Sequence, residues 1–152
     1  SFPSTLKWDA YSGDYGPNFF GHALNTGTYL INHPEFGWQA FGGNVTRKGD
    51  WINVTPLDSL RMRVYLAPRG LWLTLDAGRF ETIELNTKTG AVRLGLASAT
   101  PETSQARLRI EQPAKLAGIG SYQPSQPFKQ EREAFAIPLK AGTTWVELSN
   151  GR

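Results

Sequence analysis

Apolar residues recur at every second position along most of this chain. The alternation runs through Trp38–Val45, Trp51–Thr55, Arg61–Leu66, Leu71–Leu75, Phe80–Leu85, Val92–Ala97, Ala106–Gln112, Ala134–Leu139 and Thr144–Ser149. A period of two places successive side chains on opposite faces of a strand, so each stretch predicts a half-buried β-strand. Turn residues separate them, at Lys48-Gly49-Asp50, Pro68-Arg69-Gly70, Ala77-Gly78 and Thr89-Gly90. Short strands with frequent turns predict a mainly β fold, an antiparallel β-sandwich of about eight or nine strands. Residues 118–132 hold no period and read as a long loop. One side of the alternations predicts a core of Met62, Val64, Leu66, Leu71, Leu73, Leu75, Leu94, Leu96, Leu108 and Ile110.

The first third has a different character. Trp8, Tyr11 and Tyr15 are interleaved with Asp9, Ser12, Gly13 and Asp14, as in an ordered loop. Pro17 suits the first turn of a helix capped by Asp14 or Gly16, and Pro34 would stop it. The spacing predicts one helix over Pro17–Asn32, with Phe20, Leu24 and Ile31 on one side. His22, Thr26, Tyr29 and His33 would lie on another. The chain then divides into an aromatic loop plus helix, residues 1–43, and a β-sandwich, residues 44–152.

Four stretches carry a resemblance: DYGPNFFG (14–21), HPEFGWQAFGG (33–43), RMRVYLAPRGLWLTLD (61–76) and ARLRIEQP (106–113). Together they resemble the C-terminal part of an uncharacterised domain family of large secreted bacterial and fungal proteins with glycoside-hydrolase-like architecture. The resemblance implies a helical domain followed by a β-sandwich, with Pro17–Asn32 as the last helix of the former. It also implies secretion, and an upstream domain of the same parent as a partner. It implies no catalytic residue.

Composition narrows the chemistry. None of the 152 residues is a cysteine, which excludes disulfides, thiolate metal sites and a cysteine nucleophile. The net charge is +3, with Lys and Arg scattered, so nucleic acid is not an expected partner. No apolar run approaches the roughly 20 residues of a membrane span, and no signal peptide is visible. The chain starts at Ser1 without an initiator Met and reads as processed or excised.

Aromatic residues supply the candidate sites. If Ala67–Gly70 is a hairpin loop, Leu66 pairs with Leu71, Tyr65 with Trp72, Arg63 with Thr74 and Arg61 with Asp76. The face opposite the core then presents Tyr65 and Trp72 beside Arg63, Arg61 and Asp76. Flat rings bordered by polar groups suit the C–H faces and hydroxyls of a sugar. A cross-strand aromatic pair that merely steadies the hairpin is the plainer reading. A second cluster is Trp8, Tyr11, Tyr15, His22, Tyr29, His33 and Trp38, which would line a glycan cleft or a seam against the upstream domain. Eleven residues apart on one helix, His22 and His33 would be about 16 Å apart, too far to share a metal ion. No cofactor is expected. Asp9, Ser12 and Asp14 offer oxygens to Ca²⁺, although helix capping is their commoner use. Asp14, Glu35, Asp50, Asp58 and Asp76 show no spacing that pairs two carboxyls for glycoside hydrolysis. The leading expectation is therefore a non-catalytic accessory module that binds a polysaccharide or oligosaccharide. The alternatives are a fragment contributing to a glycoside-hydrolase-like active site, and a structural buttress.

Overall fold

A computed structural model describes residues 28–33, 37–57, 62–113 and 115–151. These residues form thirteen strands: β1 (Thr28–His33), β2 (Gly37–Phe41), β3 (Gly43–Lys48), β4 (Trp51–Pro56), β5 (Arg63–Leu66), β6 (Leu71–Ala77), β7 (Arg79–Asn86), β8 (Val92–Ala97), β9 (Gln105–Glu111), β10 (Tyr122–Pro124), β11 (Lys129–Glu131), β12 (Ala134–Pro138) and β13 (Thr144–Asn150). They make two sheets, a seven-stranded one in the order β11-β12-β9-β6-β5-β1-β2 and a six-stranded one in the order β10-β13-β8-β7-β4-β3. Among the described residues every pairing is antiparallel except β1 with β5.

The alternation explains the core. Val64, Leu66, Leu71, Leu73, Leu75 and Leu108 from the larger sheet meet Ile52, Val54, Ile83, Leu85, Leu94, Leu96, Val146 and Leu148 from the smaller, all at most 2% exposed. Seen from the sequence, eight of the ten expected core residues are buried, and Ile110 is partly buried against them. Met62 is the exception at 42% exposure. It precedes β5, which begins at Arg63, and only its carbonyl joins the sheet, accepting from the Leu75 amide at 2.8 Å.

The hairpin register is as expected: Leu66 pairs with Leu71, Tyr65 with Trp72 and Arg63 with Thr74. The loop is a single 3₁₀ turn, Ala67–Arg69, closed by Gly70 at φ 59°. That left-handed conformation is cheap only without a Cβ.

Two expectations need correction. The helix over Pro17–Asn32 does not survive where it can be seen: residues 28–32 belong to β1, while residues 17–27 lie outside the described ones. Thr28, Tyr29 and Ile31 are β-branched or aromatic and favour extended backbone. Tyr29, Leu30 and Ile31 are all 0% exposed, so β1 is covered on both faces and hides the period of two. The described residues hold thirteen strands, because Trp38–Val45 breaks into β2 and β3 at Gly42, φ 69°, and the supposed loop 118–132 holds β10 and β11. Those two have three residues each, too few to show a period. β1 and β2 pair into the larger sheet, which therefore draws strands from both sides of residue 43.

Candidate functional site

On the outer face of the larger sheet, the hairpin rings are packed. Tyr65 stacks on Trp72 with centroids 4.3 Å apart and planes 23° apart. The Arg63 guanidinium carbon lies 4.0 Å from the Trp72 ring centroid. Two groups that close cannot share one side of a ring, so both indole faces are occupied. Tyr29 reaches the same indole edge-on, at 5.7 Å and 79°. Tyr29 and Tyr65 are 0% and 3% exposed. The fold thus joins a member of the second sequence cluster to the first, through the parallel register Tyr29↔Tyr65.

The remaining candidates separate. Asp76 sits in the bulge of β6 and binds Arg109, with Nη2 to Oδ1 at 3.0 Å and Nε to both carboxylate oxygens at 3.2 Å. Arg61, its expected partner, lies outside the described residues, as do Trp8, Tyr11, Tyr15 and His22. Trp38 lies on β2, half-buried against the core, and His33 ends β1. The oxygens considered for Ca²⁺, from Asp9, Ser12 and Asp14, also lie outside. Among the described residues no three His, Cys, Asp or Glu side chains cluster as a metal site.

The outer face of the smaller sheet carries a groove of about 600 Å³. Its walls include Thr46, Trp51, Asn53, Glu84, Asn86 and Arg93, with Lys48 and Asp50 at one end. Cross-strand register builds it. Trp51 pairs with Lys48 and Asn86, Asn53 with Thr46 and Glu84, and Glu84 with Arg93. Because Ile52, Val54, Ile83, Leu85, Val92 and Leu94 point to the core, their neighbours must point outward.

Side chains in the groove hold one another. The Arg93 guanidinium carbon is 4.0 Å from the Trp51 ring centroid, a cation–π contact. Arg93 also reaches Glu84 and Glu147, each at 3.5 Å. The Asn53 amide donates to Thr82 Oγ1 at 2.7 Å and to Glu84 Oε2 at 3.3 Å. At the groove's end, Asn86 Oδ1 accepts from the Lys88 and Thr89 amides at 3.0 and 2.8 Å, which shapes the β7–β8 turn. The Thr87 amide donates to the Asp50 carbonyl at 2.8 Å and ties that turn to the β3–β4 turn. A half-buried ring therefore stands beside amide, carboxylate and guanidinium groups already fixed in place. Such a set can hold hydroxyls, but it presents no nucleophile–base pair.

Sequence reasoning passed over this groove. The signal was present in Trp51-Ile52-Asn53-Val54-Thr55, whose outward positions read Trp, Asn, Thr. What could not be read was which strands lie beside it.

Among the described residues, the proton affinities of two side chains depart from their ordinary values. Burial pushes the Tyr122 phenol up, opposed by its hydrogen bond and charge contact with Arg69. The Arg107 hydrogen bond, helped by Lys129, pulls the exposed Glu131 carboxyl down. Neither group lines the groove.

No helix among the described residues is long and apolar enough to cross a membrane. No curated protein and no solved structure matches this chain. A model of a family of unknown function, DUF5695, matches residues 1–146, and the chain belongs to that family.

Proposed function

We propose that this domain is a non-catalytic carbohydrate-binding accessory module of a secreted carbohydrate-active protein, and that the groove on the smaller sheet holds the glycan. The observation that carries the reading is Trp51 set beside Asn53, Glu84 and Arg93 in an open groove. A sugar offers an apolar C–H face and a rim of hydroxyls. An indole wall supports the first, and prearranged donors and acceptors exchange water for the second. The hairpin face is less suited, because the two faces of Trp72 are already covered by Tyr65 and Arg63.

Affinity electrophoresis against neutral and acidic polysaccharides tests the reading. The chain should be retarded by at least one neutral polymer. Trp51→Ala should weaken that retention by roughly 1–3 kcal/mol, by analogy with the stacking of nucleobases on aromatic side chains. Its unfolding midpoint should move little, since the ring lies outside the core. Retention that survives Trp51→Ala but is lost in a folded Trp72→Ala variant would place the site on the hairpin. Release of reducing ends by the chain alone would make it an enzyme, and the absence of any retention would leave a structural role.

A further inference from the structure

The groove occupies one corner of the smaller sheet's outer face. At the opposite corner stands Trp145, one of four large apolar side chains exposed among the described residues, at 47%. Val146 and Leu148 hold β13 to the core, so Trp145 must point outward. It pairs across the ladder with Gly95, which pairs in turn with Thr82. The absence of a side chain at Gly95 gives the indole its seat: a Cβ there would lie 3.4 Å from Trp145 Cη2 and 2.7 Å from Thr82 Cγ2. One part of the ring thus rests over the strand while the rest meets solvent.

The two tryptophans are linked through one row of side chains. Thr82 lies beneath Gly95 and accepts from Asn53, which lines the Trp51 groove. Counting along the ladder, Trp51 and Trp145 are three strand spacings apart, roughly 14 Å, and offset by four residues along β7, roughly 13 Å. The diagonal of roughly 20 Å exceeds one sugar ring and suits a chain of them. Between the two ends the outward residues are polar or lack a side chain: Asn53, Glu84, Thr82, Arg93 and Gly95. A protein partner would want an apolar patch there, whereas hydroxyls want such a row.

Charge on this face decides the ligand class. Arg93 is shared between Glu84 and Glu147, Arg79 lies 3.6 Å from Glu81, and Lys48 and Asp50 stand together at the groove's end. These three cations stand among four carboxylates, Glu81, Glu84, Glu147 and Asp50, so the named charges leave no positive surplus for an acidic sugar.

We infer that Trp145 over Gly95 is a second aromatic subsite, and that the face from Trp51 to Trp145 binds one extended neutral glycan. This rests on the groove reading above and adds length and charge selectivity to it. Calorimetry with neutral gluco-, manno-, xylo- and galacto-oligosaccharides of two to six units tests it, with polygalacturonate as the acidic comparison. For at least one series, the hexamer should bind tenfold or more tighter than the dimer. Trp145→Ala should bring the hexamer down to the dimer's affinity and leave the dimer unchanged. Trp145→Tyr, which restores a ring, should recover most of the gain. Equal affinity for dimer and hexamer, or a hexamer indifferent to Trp145→Ala, would overturn the second subsite and leave the Trp51 groove standing. Preference for polygalacturonate, weakening as salt rises, would overturn the neutral assignment. No binding of any sugar by the unaltered chain would remove the groove reading, and this inference with it.

Discussion

Gly95 shows how one residue can govern a whole face. Its neighbours on β8 are buried apolar residues, and a side chain there would meet Thr82, Thr143 and Trp145 at 2.7, 3.1 and 3.4 Å. Thr82 cannot yield freely, because its hydroxyl accepts from Asn53 at 2.7 Å. Gly95→Ala is therefore expected to cost about 1–3 kcal/mol of stability, the usual range for overpacking. It should also disturb the groove, through Thr82 and Asn53. Chemical denaturation would measure the first effect. The second would appear as weaker retention of the same polysaccharide that Trp51→Ala loses. A variant with unchanged stability would mean that the Thr82 side chain is not the constraint the geometry indicates.

At the scale of elements, β1 changes the meaning of the β5–β6 hairpin. Alone, the hairpin would present Tyr65 and Trp72 to solvent. With β1 in parallel beside β5, Tyr29 reaches Trp72 and the rings become a packed cluster. Trp72→Ala is accordingly expected to destabilise the domain by about 2–3 kcal/mol, below the full cost of a core tryptophan because the ring is partly exposed. Glycan retention should persist below the new melting temperature. Thermal unfolding and electrophoresis of one sample would check both. The hairpin register itself was legible, because Leu66 and Leu71 flank a four-residue loop and the alternation fixes every pair beyond it. The role of β1 was not, since three consecutive buried residues carry no period that separates a strand from a helix.

At the scale of the molecule, Tyr122 joins the two sheets at one end. Its hydroxyl accepts from Arg69 Nε, in the β5–β6 loop, at 2.7 Å, and donates to the Gly90 carbonyl in the β7–β8 turn. Tyr122→Phe leaves both partners short of a bond, at an expected cost of about 1–3 kcal/mol near neutral pH. The same phenol gives the fold an alkaline limit. Burial, only partly offset by Arg69, raises its pKa in the folded state. Its contribution is therefore complete below pH about 10. Above that pH the unfolded chain has released the proton while the folded one retains it, so stability falls as pH rises through the folded value. Denaturation midpoints from pH 8 to 11 should decline less steeply in Tyr122→Phe than in the unaltered chain. Equal slopes would show that other groups set the limit.

The alternation alone determined that this chain makes a β-sandwich, which residues of the 64–75 hairpin face inward, and that Trp72 points away from the core. Those are local properties, because a period of two and a short loop act over a few residues. Long-range pairing decided the rest. Strand order placed β7 beside β4 and β8 beside β7, and so gathered Trp51, Asn53, Glu84 and Arg93, which come from three separate stretches, into one groove. The same order set Trp145 above Gly95, fifty residues earlier in the chain, and drew Tyr29 to Trp72. No pattern within a strand specifies its neighbours when every strand offers the same apolar face to the core. Only the collapse of all of them together selects the order, and with it the site.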